Sequence, residues 1–388
     1  MIIKHQKTHQ AEFFHPLTLA VCGLSHSGKT SLIKTLIAKY SKSFRVGYLK
    51  HDAHSFTMDT PGKDTFLARE AGAAKVLISN AHEQAALAPE PLDLLEKRQA
   101  FQNCDFLFVE GYKESNWPKW VFLDAQGIML ERVKSGEINQ VLAYICEFKP
   151  PADLPVPAFC RSDIQAISEF FETWLGSQIS NRPFNGLVLA GGMSQRMGQD
   201  KAALVYRDKT QLETSTELLA SLCQQVYVSC RGEQKNSLQA LTAFPVLEDR
   251  LLGLGPLGGI LTAFLHQPEA AWLVLAVDLP WLDSATLQYL IQNRDPFALA
   301  TAFRSSTDGL PEPLCAIYEP RFKERLFAFL GAGYQCPRKA LLNSPIQYLE
   351  LPEPHRLANA NTPQDYEAIR REMADGNRSG TLLLGEKA

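Results

Sequence analysis

The sequence predicts an α/β chain of two consecutive Rossmann-like three-layer domains. Apolar runs that read as buried strands alternate with helical patterns along most of the chain, as in sheets covered by helices on both faces. Two of those strands, 17–22 and 186–190, each run directly into a glycine-rich, basic loop. The 388 residues suit two domains at about 100–200 residues each, and either half can bury its own core.

Composition narrows the functional classes. The chain is 45% hydrophobic and 21% charged, with a formal net charge of −3. That balance argues against a general nucleic-acid coat or a membrane-surface protein, so an anionic ligand must be met by local Lys and Arg. Eight cysteines show no CxxC spacing, which gives neither a zinc ribbon nor a redox motif. The polar N-terminal stretch lacks a signal-peptide apolar core. The most apolar segment, 270–282, is too short for a bilayer and contains Asp278. A soluble, cytoplasmic, thiol-reduced protein is expected.

Residues 1–15, with His5, His9 and His15, read as a flexible N-terminus. The strand at 17–22 leads into Gly23-Leu-Ser-His-Ser-Gly-Lys-Thr30, which is G-x-x-x-x-G-K-[ST], and a helical pattern follows over 31–40. Strand, loop and helix are the context a phosphate-binding loop (P-loop) requires. Its backbone N–H groups and helix N-terminus, with Gly23, Ser25, His26, Ser27, Gly28 and Ser31, would cradle phosphates. Lys29 would reach the β/γ-phosphates, and the Thr30 hydroxyl would ligate Mg²⁺. A second strand, 45–50, ends at His51 and His54, a pair with no third ligand nearby and so not expected to bind metal. The polar loop 58–65, with Asp59, Lys63 and Asp64, either closes over nucleotide or is simply solvated. Strand 105–110 ends in Glu110, placed to hold Mg²⁺ or its water, or else a plain strand-end acid.

Gly23–Thr30, Lys50-His51-x-x-His54, Asp59-x-Pro61-Gly-Lys-Asp64, Arg69-x-x-Gly72-Ala-Ala74 and Val109-Glu-Gly-Tyr-Lys113 together resemble the molybdopterin-guanine dinucleotide biosynthesis adaptor, MobB. The likeness covers about residues 16–125. It implies a P-loop NTPase domain that binds GTP and assists a guanylyltransferase with little turnover of its own, with Glu110 as the strand-end acid. The proline-rich stretch 149–157 and an amphipathic helix over 164–175 would close this domain. The expected organisation is a flexible N-terminus (1–15), a P-loop domain (16–176), a linker (177–183), a second domain (184–374) and a tail (375–388). No internal repeat is visible.

The second domain opens on Leu189-Ala-Gly-Gly-Met-Ser-Gln-Arg-Met-Gly-Gln-Asp-Lys201. Gly191 and Gly192 let backbone N–H groups approach an anion closely, and Arg196 and Lys201 add positive charge. A strand and turn over 203–208 should lead into a helix at 211–223, a strand at 225–229, and a strand ending in the acids Glu248 and Asp249. A glycine-rich helix start follows at 253–259. The apolar run 272–277 ends in Asp278 before a proline turn. In open α/β sheets ligands bind at the carboxyl ends of strands, and an aspartate there suits Mg²⁺. Asp278 could instead cap the helix that begins near Ser284. Backbone N–H groups, Lys201 and an Asp278-bound Mg²⁺ would suit attack of one phosphate on another, with diphosphate as leaving group.

Leu189–Lys201, Glu248-Asp249, Asp278-Leu-Pro280, Pro311-Glu-Pro-Leu-Cys-Ala-Ile-Tyr318 and Asn359-Ala-Asn361-Thr-Pro363 together resemble molybdenum cofactor guanylyltransferase, MobA, over about residues 184–374. Gly191-Gly192 and Asp200-Lys201 fit this guanylyl branch better than the cytidylyl one, where Ala-Gly and Pro-Lys are usual. The resemblance implies a nucleotidyltransferase domain of the nucleotide-diphospho-sugar transferase type. GTP contacts then fall on Leu189, Ala190, Gly191, Gly192, Lys201, Asp249 and Asp278, with Mg²⁺ on Asp278 and catalysis on Lys201, Asp278 and Arg196. Arg196, Arg338, Asn359 and Asn361 are candidates for the acceptor's phosphate or pterin; Arg338 reads equally as a solvated helix-start charge. Where the family often has Asn, this chain has Ser229.

The combined expectation is a multifunctional fusion that transfers GMP from Mg·GTP to molybdopterin, with its first domain a GTP-binding adaptor. Its partners would be GTP, molybdopterin, and the proteins that deliver molybdopterin or mature molybdoenzymes, with neither nucleic acid nor membrane. Two alternatives stay open: cytidylyl or sugar-1-phosphate nucleotidyl transfer, and a non-catalytic GTP-responsive delivery module. No residue within Leu189–Lys201 evidently reads the base.

Overall fold

The computed structural model describes residues 15–51, 58–88, 90–151, 153–191, 201–206 and 208–374. The chain divides into two compact units, Met1–Gln178 and Ile179–Ala388.

In chain order, the first unit is β1 (Thr18–Cys22), α1 (Lys29–Tyr40), β2 (Val46–Lys50), α2 (Asp64–Glu70), β3 (Val76–Ser79), β4 (Gln84–Leu87), α3 (Leu94–Phe101), β5 (Phe106–Glu110), β6 (Lys119–Phe122), α4 (Ile128–Lys134), β7 (Val141–Cys146), β8 (Ala158–Cys160) and α5 (Ile164–Ser180). Six strands form one sheet in the order β2-β5-β1-β6-β7-β8, and every pairing is parallel. The central strands β1, β5 and β6 are buried at every position. That is why they read as unbroken apolar runs rather than alternating ones. Phe171 of α5 packs its ring 5.1–6.1 Å from Phe106, Phe108 and Trp120. The antiparallel hairpin β3-β4 stands apart from the main sheet.

Lys119 is fully buried in β6. Its ammonium donates to the Ser115 and Trp117 carbonyls and to Asn139. Those bonds satisfy the buried charge and pin the loop that follows Glu110.

The second unit is β9 (Phe184–Leu189), α6 (Gln211–Ala220), β10 (Gln225–Cys230), α7 (Lys235–Leu241), β11 (Val246–Glu248), α8 (Pro256–His266), β12 (Ala271–Ala276), α9 (Ser284–Gln292), β13 (Ala300–Arg304), β14 (Pro311–Tyr318), α10 (Phe322–Gly331), α11 (Pro337–Leu342), β15 (Gln347–Leu349) and α12 (Pro363–Ala374). The sheet order is β11-β10-β9-β12-β14-β13-β15. The β9, β10, β11 and β12 pairings are parallel, whereas β14 runs antiparallel to both its neighbours. Strand β12 is buried throughout. Its flanking core includes Leu273, Leu275 and Ile317 on one face and Trp272, Val274 and Phe264 on the other.

Three local expectations are corrected. His15 is buried rather than flexible: its ring contacts the Cys104 carbonyl (Nε2, 3.0 Å) and accepts from the Leu17 N–H (Nδ1, 3.1 Å). The expected linker from 177 is helical as far as Ser180, because the polar side chains lie outward and Ser177 Oγ bonds back to the Trp174 carbonyl. The described residues of the expected strand, 203–206 and 208, form none. Lys201–Ala203 form one 3₁₀ turn, and Val205 makes only an isolated bridge to Thr210. Leu204 and Tyr206 pack instead on Ala360 and Ile369, ahead of and within α12. The expectations for residues 1–14 and for the tail 375–388 lie outside the described residues.

Candidate active site

In the second unit the carboxyl ends of the parallel strands open on a cleft of about 1160 Å³. Leu189 and Gly191 line it from the end of β9, Ser229 and Arg231 from β10, Asp249 from β11, and Asp278 from β12. The apolar wall is the loop Leu251 to Pro256, which precedes α8.

Lys201 is the hub of one end of the cleft. Its Nζ lies 2.7 Å from Asp278 Oδ2 and 3.0 Å from Asn361 Oδ1. Lys201 and Asp278 are mostly buried, at 15% and 19% exposure of their side chains. Low solvent access strengthens such a contact relative to one in open water. Asp278 does not cap α9; Asp283 does, accepting from the Thr286 N–H at 2.9 Å. The Asp278 carboxylate is thereby free to face the cleft.

Asn361 arrives from 160 residues downstream. The Ala360 N–H donates to the Asp278 carbonyl. Thr362 and Asp365 exchange side-chain and backbone bonds at the start of α12, in the manner of a capping box. Tyr366 donates to the Val205 carbonyl. Together these contacts seat α12 against the Lys201 turn.

At the other end of the cleft, Ser229 Oγ donates to Asp249 Oδ1 at 2.6 Å. Burial pushes the Asp249 carboxyl up; the Ser229 bond and the Arg231 charge pull it partly back. Gly259 of α8 presses directly on Ser229: a Cβ there would sit 2.3 Å from Ser229 Oγ and 2.6 Å from Leu189 Cδ2. The glycine-rich start of α8 is thus a close-packing device against the Ser229–Asp249 end of the cleft.

The other expected positions divide. Gly192 and Arg196 lie outside the described residues. Ala190 is buried behind the cleft. Arg338 pairs with Asp308 at 2.9 Å and Glu312 at 3.1 Å and does not line the cleft, nor does Asn359. Arg338 sits in the first turn of α11, where the two acids hold it as a structural charge. Of the three acceptor candidates, Asn361 lines the cleft, whereas Arg338 and Asn359 are not among its lining residues.

In the first unit the loop Gly23–Ser27 leads into α1, with Gly28 at the N-cap and φ of 91°. Lys29 Nζ donates to the Leu24 carbonyl at 2.6 Å, so its stem folds back over the loop. Burial lowers the pKa of this amine, while the Glu110 charge opposes the shift. Thr30 Oγ1 donates to both Glu110 oxygens, at 2.9 and 2.8 Å. Val21 and Glu110 are register partners of β1 and β5, which sets that distance. Tyr48 OH also donates to Glu110, and Lys50 lies 3.7 Å away. Tyr48 stands in the middle of β2, the strand beside β5, and Lys50 at its end; nothing local in the sequence signals either contact. Arg161, after β8, lays its guanidinium on Gly28 where a Cβ would otherwise be; nothing local in the sequence signals this. Asp59 bonds to Thr65 and pairs with Arg69, which fastens its own loop to α2.

Both places suit Mg²⁺. Each offers hard oxygen donors: the Asp278 carboxylate in one, and the paired Thr30 hydroxyl and Glu110 carboxylate in the other. Among the described residues no group of three or more His, Cys, Asp or Glu could hold a metal. One or two carboxylates completed by phosphates and water is how proteins usually hold Mg²⁺.

Comparison with known proteins matches each half of the chain to a family. A MobA-like NTP transferase domain matches residues 186–346, and molybdopterin guanine dinucleotide synthesis protein B matches residues 18–147. A probable molybdenum cofactor guanylyltransferase of Nostoc sp. is 33% identical over 192 residues, which are 49% of this chain and 91% of that protein. The chain belongs to the molybdenum cofactor guanylyltransferase family. It carries a MobB domain and a MobA-like transferase domain in one polypeptide. A molybdenum cofactor biosynthesis bifunctional protein of Synechocystis sp. is 35% identical over 193 residues, half of this chain and 55% of that protein. The match thus spans little more than half the length of that bifunctional relative. The crystal structure of molybdopterin-guanine dinucleotide biosynthesis protein A from Archaeoglobus fulgidus is 23% identical, covering 50% of this chain and all of that one at a TM-score of 0.44. No helix among the described residues is long and apolar enough to cross a membrane.

Proposed function

We propose that this guanylyltransferase-family chain transfers GMP from GTP to the terminal phosphate of molybdopterin, releasing diphosphate, and that its MobB domain is a GTP-binding adaptor. The observation that carries the reading is the meeting of Lys201, Asp278 and Asn361 at 2.7 and 3.0 Å on the carboxyl edge of the sheet.

The acceptor's phosphate oxygen attacks the α-phosphorus. The bond from that phosphorus to the bridging oxygen breaks, and diphosphate departs with the electron pair. Lys201 offsets the charge of the two anions, and Asp278 and Asn361 fix its ammonium in place. The backbone of Leu189 and Gly191 borders the phosphates, and Asp249 faces the nucleoside. No covalent intermediate on the protein is needed; alignment and charge neutralisation suffice. Mg²⁺, held by Asp278 here and by Thr30 and Glu110 at the P-loop, would supply further neutralisation of phosphate charge.

The domain limits that go with this reading are 15–180 and 184–374, and the compartment is the cytoplasm. Fusion would raise the effective concentration of one module at the other. Diphosphate release measured with molybdopterin, Mg²⁺ and each of the four nucleotides tests the reading. GTP preference supports it, and a clear preference for CTP removes it.

A further inference from the structure

The strands order the cleft. Asp278 follows β12 and Lys201 follows the loop after β9, whereas Arg231 follows β10 and Asp249 follows β11, in the sheet order β11-β10-β9-β12. Neighbouring strands lie about 4.8 Å apart, so Asp278 and Asp249 are separated by roughly 14 Å along the sheet edge. A nucleotide with its reacting phosphate at Lys201 and Asp278 therefore carries its base over β10 and β11. That end of the cleft is walled by Leu252, which is 74% exposed despite its size, and by Leu254. Exposed aliphatic side chains of this kind suit the face of a base.

Arg231 stands there with one donor to spare. Its Nε meets Gln234 at 3.4 Å, and its Nη1 meets Glu233 at 3.4 Å. Its Nη2 is buried and has no hydrogen-bond partner among the described residues. A buried guanidinium N–H without an acceptor is unfavourable until something supplies one. Beside it, Asp249 gives one oxygen to Ser229 and keeps the other. Arg231 lines the cleft, and a turn of its guanidinium would bring this donor to a ligand beside the Asp249 carboxylate. Guanine presents the complement, an O6 acceptor beside the N1–H donor; adenine presents the reverse.

We infer that Arg231 donates to guanine O6 while Asp249 accepts from N1–H, so that this pair selects the 6-oxopurine. The inference rests on the proposed guanylyl transfer. An arginine is suited to O6, which it recognises widely. The carboxylate alone would also accept from other bases' amino groups, and the arginine closes that ambiguity.

The test compares wild type with Arg231→Met, which keeps the length of the stem and removes the donors. Molybdopterin-dependent diphosphate release is measured with GTP, with ITP, and with 2-aminopurine riboside triphosphate, which lacks O6. Loss of one hydrogen bond from a charged donor should lower kcat/KM for GTP and ITP about ten- to hundredfold. The value for the 2-aminopurine nucleotide should stay at the wild-type level. Arg231→Lys should restore part of the GTP preference, and its thermal unfolding should match wild type. An equal fall with all three nucleotides would mean a phosphate or folding role and overturn the inference, as would no fall with any. A wild-type enzyme that prefers CTP, or releases no diphosphate at all, defeats the transfer reading itself, a result visible before any variant is made.

Discussion

Replacing Gly259 with alanine adds one methyl group where the Ser229–Asp249 end of the cleft has no room for it. The new Cβ would lie 2.3 Å from Ser229 Oγ and 2.6 Å from Leu189 Cδ2. Leu189 can rotate its terminal methyl away. Ser229 can move only by turning its hydroxyl off Asp249, which breaks a 2.6 Å bond to a carboxylate. A hydrogen bond to a charged group is worth about 1.5–3 kcal/mol. Against this, alanine gains about 0.5–1 kcal/mol over glycine inside a helix. The difference leaves a net loss of about 0.5–2.5 kcal/mol, overlapping the usual range for an overpacked core. For a domain of this size that is a fall in Tm of about 1–10 °C. Asp249, released from Ser229, should also hold nucleotide less well, so KM for GTP rises. The control is Gly331→Ala in α10, where a Cβ meets nothing within 4 Å; that variant should be neutral or slightly stabilised. Thermal unfolding and GTP saturation curves on the three proteins decide the matter. A Gly259→Ala protein with wild-type Tm and wild-type KM would refute the argument that α8 presses Ser229 onto Asp249.

Other outcomes follow from the same geometry. Lys201→Ala should lower transfer by about 10²–10³-fold, as loss of one charge-stabilising donor commonly does, whereas Lys29→Ala should leave transfer to free molybdopterin at the wild-type rate and weaken GTP binding at the P-loop. Equal loss in both would show that the two sites do not act separately. Asp249→Asn removes a carboxylate whose pKa burial has raised; at neutral pH its Tm should equal or exceed wild type while KM for GTP rises, and a lowered Tm would contradict the assigned cause. Arg294 meets both oxygens of the fully buried Glu319 at 2.6 and 2.9 Å, so Arg294→Met should lose about 3–5 kcal/mol by stranding that charge. Burial already raises the Glu319 pKa in the folded protein, and a raised carboxyl stabilises most below its unfolded value. The Arg294→Met deficit should therefore shrink on acidification and grow as pH rises through the folded pKa; denaturant unfolding across that range shows it.

Much of this was legible in the sequence because the informative contacts are local or lie at strand ends. Gly23 to Thr30 could be placed because a buried strand and a helix bracket it. Asp278 could be placed because six apolar residues stop at a carboxylate, and a parallel sheet puts all such ends on one edge. What escaped is long-range or depends on where a side chain finds its partner. Asn361 and Arg338 carry the same kind of promise in the sequence, yet α12 brings the first to Lys201 while Asp308 and Glu312 hold the second elsewhere. The run at 203–208 is apolar enough for a strand, but its large side chains serve α12 instead. The antiparallel β14 is hidden because a buried strand reads the same in either direction. The bond from Ser229 to Asp249 was invisible because a serine at a strand end announces no partner.

The most direct test of the central claim is incubation of the full chain with molybdopterin, Mg²⁺ and GTP labelled at the α-phosphate, followed by identification of the labelled product. Guanylyl transfer predicts label in a molybdopterin guanine dinucleotide, an equal amount of diphosphate, and about 10²–10³-fold slower formation of both by the Lys201→Ala protein. Label confined to GTP and its hydrolysis products, or a dinucleotide formed preferentially from CTP, would contradict it.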